Sequence, residues 1–567
     1  MVSGLVWTYD QLGRRVRATW ADGSYWVYTY DLYGQLVSGR RYWADGRPVA
    51  GQQFEYRHDA IGNRTAGGWG GDELGQSLRW STNTVNRLNQ YTSRTVPGYV
   101  GVSGEAAEAA TVTLWWGSNE WARAIQQGRY WYGEALVNNA TGAVWVVITN
   151  LGVVRGQPDR VQSETRSAFV AQTPETLIHN ADGNLVRDGR WLYYWDAENR
   201  LTRVITVAGP SSSFRRVDWK YDAQGRRVRQ TSYVLSNGVW QVVEDLKLVS
   251  DPELFGRHIA ELNATNNALV RAYIWGLDMS ETVDGAGGVG GLLWVWIQTG
   301  PAAGTHLVCY DGNANLWNLV SASTGTETAR YEYGPFGEAL RLSGPPAKAN
   351  PFRFSTKRTE DISGLVLYEY RAYTPTLGRW LSRDPIEEGG GFGLFVFIIN
   401  APVRSADSLG LQMAPPGWPW PTDPSQPFPP APPPTPKRKK PAVNPCDDYK
   451  SFYKSFLPTP TCMCNCKPIP DHYPERAQKV CDSFMEKYDW SDKVHCVARC
   501  LVAVERATYR MPYCSLRATI RLSAHLACYV SCGFYPWKGL PHDGVGVGVA
   551  DLLWVLARCH DPWKQAK

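Results

Sequence analysis

One short pattern recurs along the first 340 residues and restricts the fold more than any other feature. It reads aromatic, Asp, two residues, Gly or Asn, then Arg or Leu. It stands as YDQLGRR from Tyr9, YDLYGQL from Tyr30, YRHDAIGNR from Tyr56 and NADGNL from Asn180. It returns as YWDAENRL from Tyr194, YDAQGRRV from Tyr221, YDGNANL from Tyr310 and YGPFGEAL from Tyr333. The acidic residue can close an Asx-type turn, and Gly or Asn accepts the positive φ of a hairpin. Flanking runs such as SYWVYTY, RWLYYW and VDWKY are strand formers. Each unit is therefore a β-hairpin. A single hairpin has no second layer to cover its apolar face, so a series of them must stack. The expected fold is mainly β, with stacked hairpins in a spiral strip or partial shell over residues 1–330. Between Gln76 and Ile178 the pattern fades, although strand-like runs such as GAVWVVITNLGVV persist.

Composition narrows the function classes. Trp (26) and Tyr (30) are abundant, and before the proline-rich stretch lysine occurs only at 220, 247, 348 and 357, while arginine is common. Arginine stacks on aromatic faces better than lysine does, so an arginine-rich aromatic sheet surface is expected. A net charge of +6 is mild for 567 residues and gives no ground for a specific nucleic-acid partner. MVSGLVWTYD lacks a basic start and a long apolar run, so no signal peptide is expected here. The best apolar stretches, 393–399 and 545–556, fall far short of the roughly 20 residues of a membrane span.

The repeats resemble the YD repeats of the rearrangement-hotspot (Rhs) family, shared with insecticidal toxin-complex C subunits and teneurins. The resemblance covers roughly residues 5–411 and implies hairpins winding into a hollow shell. Family shells are longer and this chain starts inside a repeat, so it reads as a partial or truncated member. From Tyr331 the likeness sharpens. YEYGPFGEALR, NPFRFSTKRTEDISGLVLYEYRAYTPTLGRWLSRDPI and NAPVRSADSLGL look like the Rhs-associated core domain, here residues 331–411.

That resemblance implies a segment that closes the shell and cuts itself at two Asp-Pro-x-Gly turns. Carried over, Arg383 and Asp384 fall on the first turn and Asp407 on the second, with the cut between Leu411 and Gln412. The chemistry is coherent. Two carboxylates brought together cannot both ionise cheaply, so one keeps a proton as acid while the other activates water. Arg383 would stabilise developing charge or set the carboxylate pKa values. The chain departs from the pattern twice, with Glu387 in place of glycine and Ser408 in place of proline.

Residues 412–445 are a proline-rich linker, extended in polyproline II, whose Lys437–Lys440 run is read as a solvated charge cluster. Residues 446–567 form a separate cysteine-rich domain, expected to be mostly helical, that holds eleven of the twelve cysteines. Two C-x3-C pairs, Cys496/Cys500 and Cys528/Cys532, each place both sulfurs on one helix face. Their mirror-symmetric spacing about residue 514 suits disulfides Cys496–Cys532 and Cys500–Cys528 across an antiparallel helical hairpin. Zinc is the competing reading, through Cys462, Cys464, Cys466, His495 or Cys559–His560, although no C-x2-C pair is present. His525, His542–Asp543 and His560–Asp561 are the catalytic candidates of this region, and its Gly-rich segment matches no phosphate loop.

The expectation is a secreted or cell-surface Rhs-type polymorphic toxin or effector whose shell encloses and, by aspartyl self-cleavage, releases a variable C-terminal cargo. The partners it implies are an immunity protein, secretion machinery, and a cell-surface glycan or protein for the shell. No cofactor and no resident metal are expected. The alternative is a cell-surface or cell-wall scaffold in which the strip is adhesive and nothing is cut.

Overall fold

In the computed structural model, the structure describes residues 4–390, 393–411 and 413–414. The linker from residue 415 on and the cysteine-rich region lie outside the described residues. So do Gln412 and the expected Cys496, Cys500, Cys528 and Cys532 pairings.

The turn chemistry builds the strip. At Asp10 the carboxylate accepts hydrogen bonds from the Leu12 and Arg14 amides (3.0 and 2.8 Å) and from Arg14 Nε (2.7 Å). Asp31, Asp59, Asp196, Asp222 and Asp311 repeat this capture of amides two and four residues ahead. The aromatic residue of the pattern has a different task. Tyr30 donates its hydroxyl to the Arg15 carbonyl (2.7 Å), Tyr221 to that of Leu201 (2.7 Å), and Trp195 its indole N–H to that of Leu185 (2.8 Å). Arg15, Leu201 and Leu185 each follow the preceding turn. The acid closes its own turn and the aromatic clamps the exit of the one before, so each unit needs its neighbour.

These units pair antiparallel in chain order. Nine strands form one sheet, from Leu5–Tyr9 to Tyr91–Arg94 with Glu175–Thr176 added at the end. Fourteen form a second, from Ile178–His179 to Ala339–Ser343. The protein is thus mainly β among its described residues. The fading pattern after Gln76 has two explanations. The turn at Asn86 keeps the same chemistry with Asn for Asp, capturing the Leu88 and Gln90 amides (2.9 and 3.0 Å). Residues 99–170 then leave the strip to make two small sheets of three and four strands. The arginine–aromatic surface is present as well: Arg17 lies 3.6 Å from the Tyr25 ring centroid and Arg379 4.0 Å from that of Tyr91.

Residues 350–411 pack against both sheets. Phe354, Tyr368, Tyr373, Trp380 and Phe397 are buried in one cluster with Trp26, Tyr28, Phe54 and Tyr56 of the first sheet. Leu365, Leu367, Ala372 and Leu381 join Trp191, Tyr193, Val204 and Trp219 of the second. Polar contacts fix the register: Arg15 donates to the Val403 carbonyl (3.0 Å), Asn313 to that of Pro402 (2.6 Å) and Arg227 to that of Tyr368 (2.6 Å). Arg379 returns a bond to the Asn89 carbonyl (2.6 Å). The row of turns is the surface on which this segment is laid.

Candidate functional site

Asp384 follows the strand Arg379–Trp380, and Asp407 ends the strand Ala406–Asp407. They are 23 positions apart in the chain, yet both reach one nitrogen. Arg371 NH2 lies 2.9 Å from Asp384 Oδ2 and 3.5 Å from Asp407 Oδ2. All three residues are buried, with Arg371 3%, Asp384 6% and Asp407 3% exposed. The guanidinium is held by the ring of Trp380, 4.1 Å away at the centroid, and by its Nε donating to the Gly410 carbonyl.

The second turn is tightly capped. Asp407 Oδ1 accepts from the amides of Leu409 (3.1 Å), Gly410 (2.7 Å) and Leu411 (3.1 Å). Gly410 has φ +85°, and a Cβ there would meet Tyr368 Cβ at 3.0 Å, so both conformation and space call for glycine. Backbone pairing of Asp407 with Met413 closes the loop behind it. The Leu411 amide is therefore bonded to one of the two carboxylates.

Electrostatics follow from burial. Burial pushes the Asp384 carboxyl up to about 6, raised further by Asp407 and opposed by Arg371 and the Ile386 amide. Burial raises Asp407 too, against Arg371 and the three capping amides. Two buried carboxyls facing one guanidinium hold their charge poorly, so the pair retains a proton near pH 6.

Arg383 lies elsewhere. It is exposed, and its Cδ would sit 2.7 Å from a Cβ placed on Gly183. The guanidinium between the carboxylates is that of Arg371, which sequence reasoning did not single out. Its signal was present in YRAY, within the core-like segment, but arginine is common throughout the chain. Leu411 is buried beside Asp407. Among the described residues no group of three or more His, Cys, Asp or Glu could hold a metal ion, and no helix is long and apolar enough to cross a membrane.

At the first departure from the turn pattern, Glu387 adopts φ +51°, the left-handed region that glycine takes without penalty. Its amide bonds the Asp384 carbonyl (3.1 Å), so the turn is made despite the side chain. Glu387→Gly is expected to stabilise the protein by about 1 kcal/mol. A urea midpoint that falls in the variant would contradict this.

No family model matches the chain. Toxin protein Tse5 of Pseudomonas aeruginosa is 40% identical over 415 residues, covering 71% of this chain and 26% of Tse5. Toxin subunit YenC1 of Yersinia entomophaga is 28% identical over 221 residues, 38% of this chain and 22% of that protein. The tRNA nuclease WapA of Bacillus subtilis strain 168 is 26% identical over 241 residues, 42% of this chain and 9% of WapA. The chain therefore spans only a minor part of each of these relatives, which are a toxin, a toxin subunit and a nuclease.

Proposed function

We propose that this chain is part of an Rhs-type polymorphic toxin, in which residues 331–411 cut the chain between Leu411 and Gln412 and so free the region that follows. The observation that carries the reading is the convergence of Asp384 and Asp407 on Arg371, with Asp407 capping the loop that bears Leu411. The similarity to Tse5 and YenC1 supports the toxin class.

In the proposed reaction a water attacks the Leu411 carbonyl carbon and passes its proton to the ionised carboxylate of the pair. The C–N bond to Gln412 then breaks, and the protonated carboxyl gives its proton to the leaving nitrogen. Arg371 sets the charge of the pair and anchors the Gly410 carbonyl next to the bond that breaks. The freed region, with residues 446–567 as cargo, would act outside the producing cell. Its partners would be secretion machinery for export and an immunity protein for self-protection. N-terminal sequencing of the smaller product tests the site, and QMAPPGWPW is the expected start. A cut elsewhere, or none over days, would refute the assignment.

The pH dependence has a definite sign. Asp384 titrates in the folded chain at about 6, above its ordinary 3.8, so it holds its proton below that value and loses it above. Cutting should therefore slow as pH rises through about 6, approaching tenfold per pH unit where loss of the acid limits the rate. The stability contribution has the same direction. It is fully present below about 3.8 and is lost as pH rises through about 6. A rate that climbs steadily from pH 6 to 8 would contradict a protonated carboxyl in the step.

A further inference from the structure

The segment beneath the Asp407 turn encloses a second polar site that the cutting reaction does not use. A cavity of about 30 Å³ is lined by Arg227, Arg257, His258, Lys357, Arg358 and Glu369, among others. Arg257, Lys357 and Arg358 are 2–4% exposed, His258 6% and Arg227 9%. Arg257 Nε and NH1 and Arg358 Nε are buried with no hydrogen-bond partner among the described residues.

Opposing charge is present but committed. The two oxygens of Glu369 take Lys357 Nζ at 3.0 and 2.8 Å, and burial pushes that carboxyl up, toward its neutral form. Glu261 binds Arg358 NH2 and Arg271 Nε. Asp278 and Asp284 reach Arg257 only at NH2, at 3.4 Å each, and that nitrogen also donates to the Val283 carbonyl. Asp222 is taken by Arg226. Among the described residues no carboxylate is within ion-pair distance of Arg227, which donates to the Tyr368 carbonyl and the Tyr221 hydroxyl. His258 stays neutral, its pKa lowered by burial and by Arg358 to about 3. Its Nε2 faces the Arg227 carbonyl at 3.3 Å, which leaves Nδ1 as a lone pair and excludes it as an anion donor.

We propose that this cavity binds one monovalent anion of halide size, held by the free N–H groups of Arg257 and Arg358. The argument is one of supply and room. Buried guanidinium donors left unmade are costly, and an anion meets both the hydrogen bond and the charge. The volume of about 30 Å³ suits one small ion. The site adjoins the cutting loop. Lys357 Nζ donates to the Gly287 carbonyl (3.1 Å), and a Cβ on Gly287 would lie 2.7 Å from the Ser408 carbonyl oxygen. Anion binding would thus brace the turn that Asp407 caps, and it stands whether or not the chain cuts itself.

The test uses the full chain in sodium chloride, sodium bromide and sodium gluconate at equal ionic strength, so that general screening is the same in each. Chloride and bromide should raise the melting temperature by about 2–4 °C over gluconate, saturating with concentration. Crystals grown in bromide should show an anomalous peak in this cavity. Arg257→Met should remove the halide dependence. Should that variant fail to fold, the bromide crystal decides alone. Equal melting in all three salts with no bromide peak in the cavity would overturn the proposal, as would a peak confined to the surface.

Discussion

Purified chain carrying Asp384→Asn or Asp407→Asn is expected to stay whole, where the parent chain is expected to separate into a fragment ending at Leu411 and one beginning at Gln412. An amide can neither hold the shared proton nor take one from water, so either change removes one half of the acid–base pair. General acid–base roles are each worth about 10²–10⁴-fold, and the loss should lie in that range or beyond. Asparagine keeps the shape of the side chain and its capping oxygen, so the fold around Asp407 should survive, and circular dichroism should show it. The control is Asp423→Asn, an acid beside a proline in the linker, which should change nothing. Arg383→Ala separates two readings of the arginines. The exposed position of Arg383 leads us to expect near-parental cutting. Mass spectrometry of intact protein over time reads every one of these outcomes. If Asp384→Asn cuts at the parental rate, the paired turns serve only to hold the segment in place.

Arg371→Met should cost the most stability of any single change at this site, about 3–5 kcal/mol. The guanidinium opposes two buried carboxyls, and its loss leaves them facing each other with no other cation in ion-pair distance among the described residues. Methionine keeps the packing on Trp380 while removing the charge and the bond to the Gly410 carbonyl. Part of the loss should be recovered by removing the charges it neutralised. Arg371→Met combined with Asp384→Asn and Asp407→Asn should be more stable than Arg371→Met alone, because no unpaired ion is then buried. Denaturant unfolding of the single and triple variants measures the difference. A triple variant less stable than Arg371→Met would mean that the arginine acts through packing.

The strip was legible because its information is local. In YDQLGRR the carboxylate of Asp10 closes a turn on amides two and four residues ahead, so five residues specify the hairpin, and Asp31, Asp196 and Asp222 repeat the rule. The turn at Asn86 was equally local and was missed because Asn stands for Asp and Val85 for the aromatic residue. Excursion of residues 99–170 into two further sheets carries no such short-range mark.

The aspartates were legible through their flanking turns, and the sequence alone determined that paired acids stand at the entrance to a proline-rich linker. Which cation answers them was decided only by tertiary structure. Arg383 adjoins Asp384 in the chain, but it is exposed and lies against the buried Gly183. Arg371 is 13 positions earlier, just before the strand Ala372–Thr374 that pairs with Arg379–Trp380, in a segment where Tyr368, Trp380 and Phe397 pack as one aromatic cluster. Turn chemistry acts over four residues and can be read from the chain. The charge that answers the pair of carboxyls is brought in by long-range packing, and only the folded protein shows it.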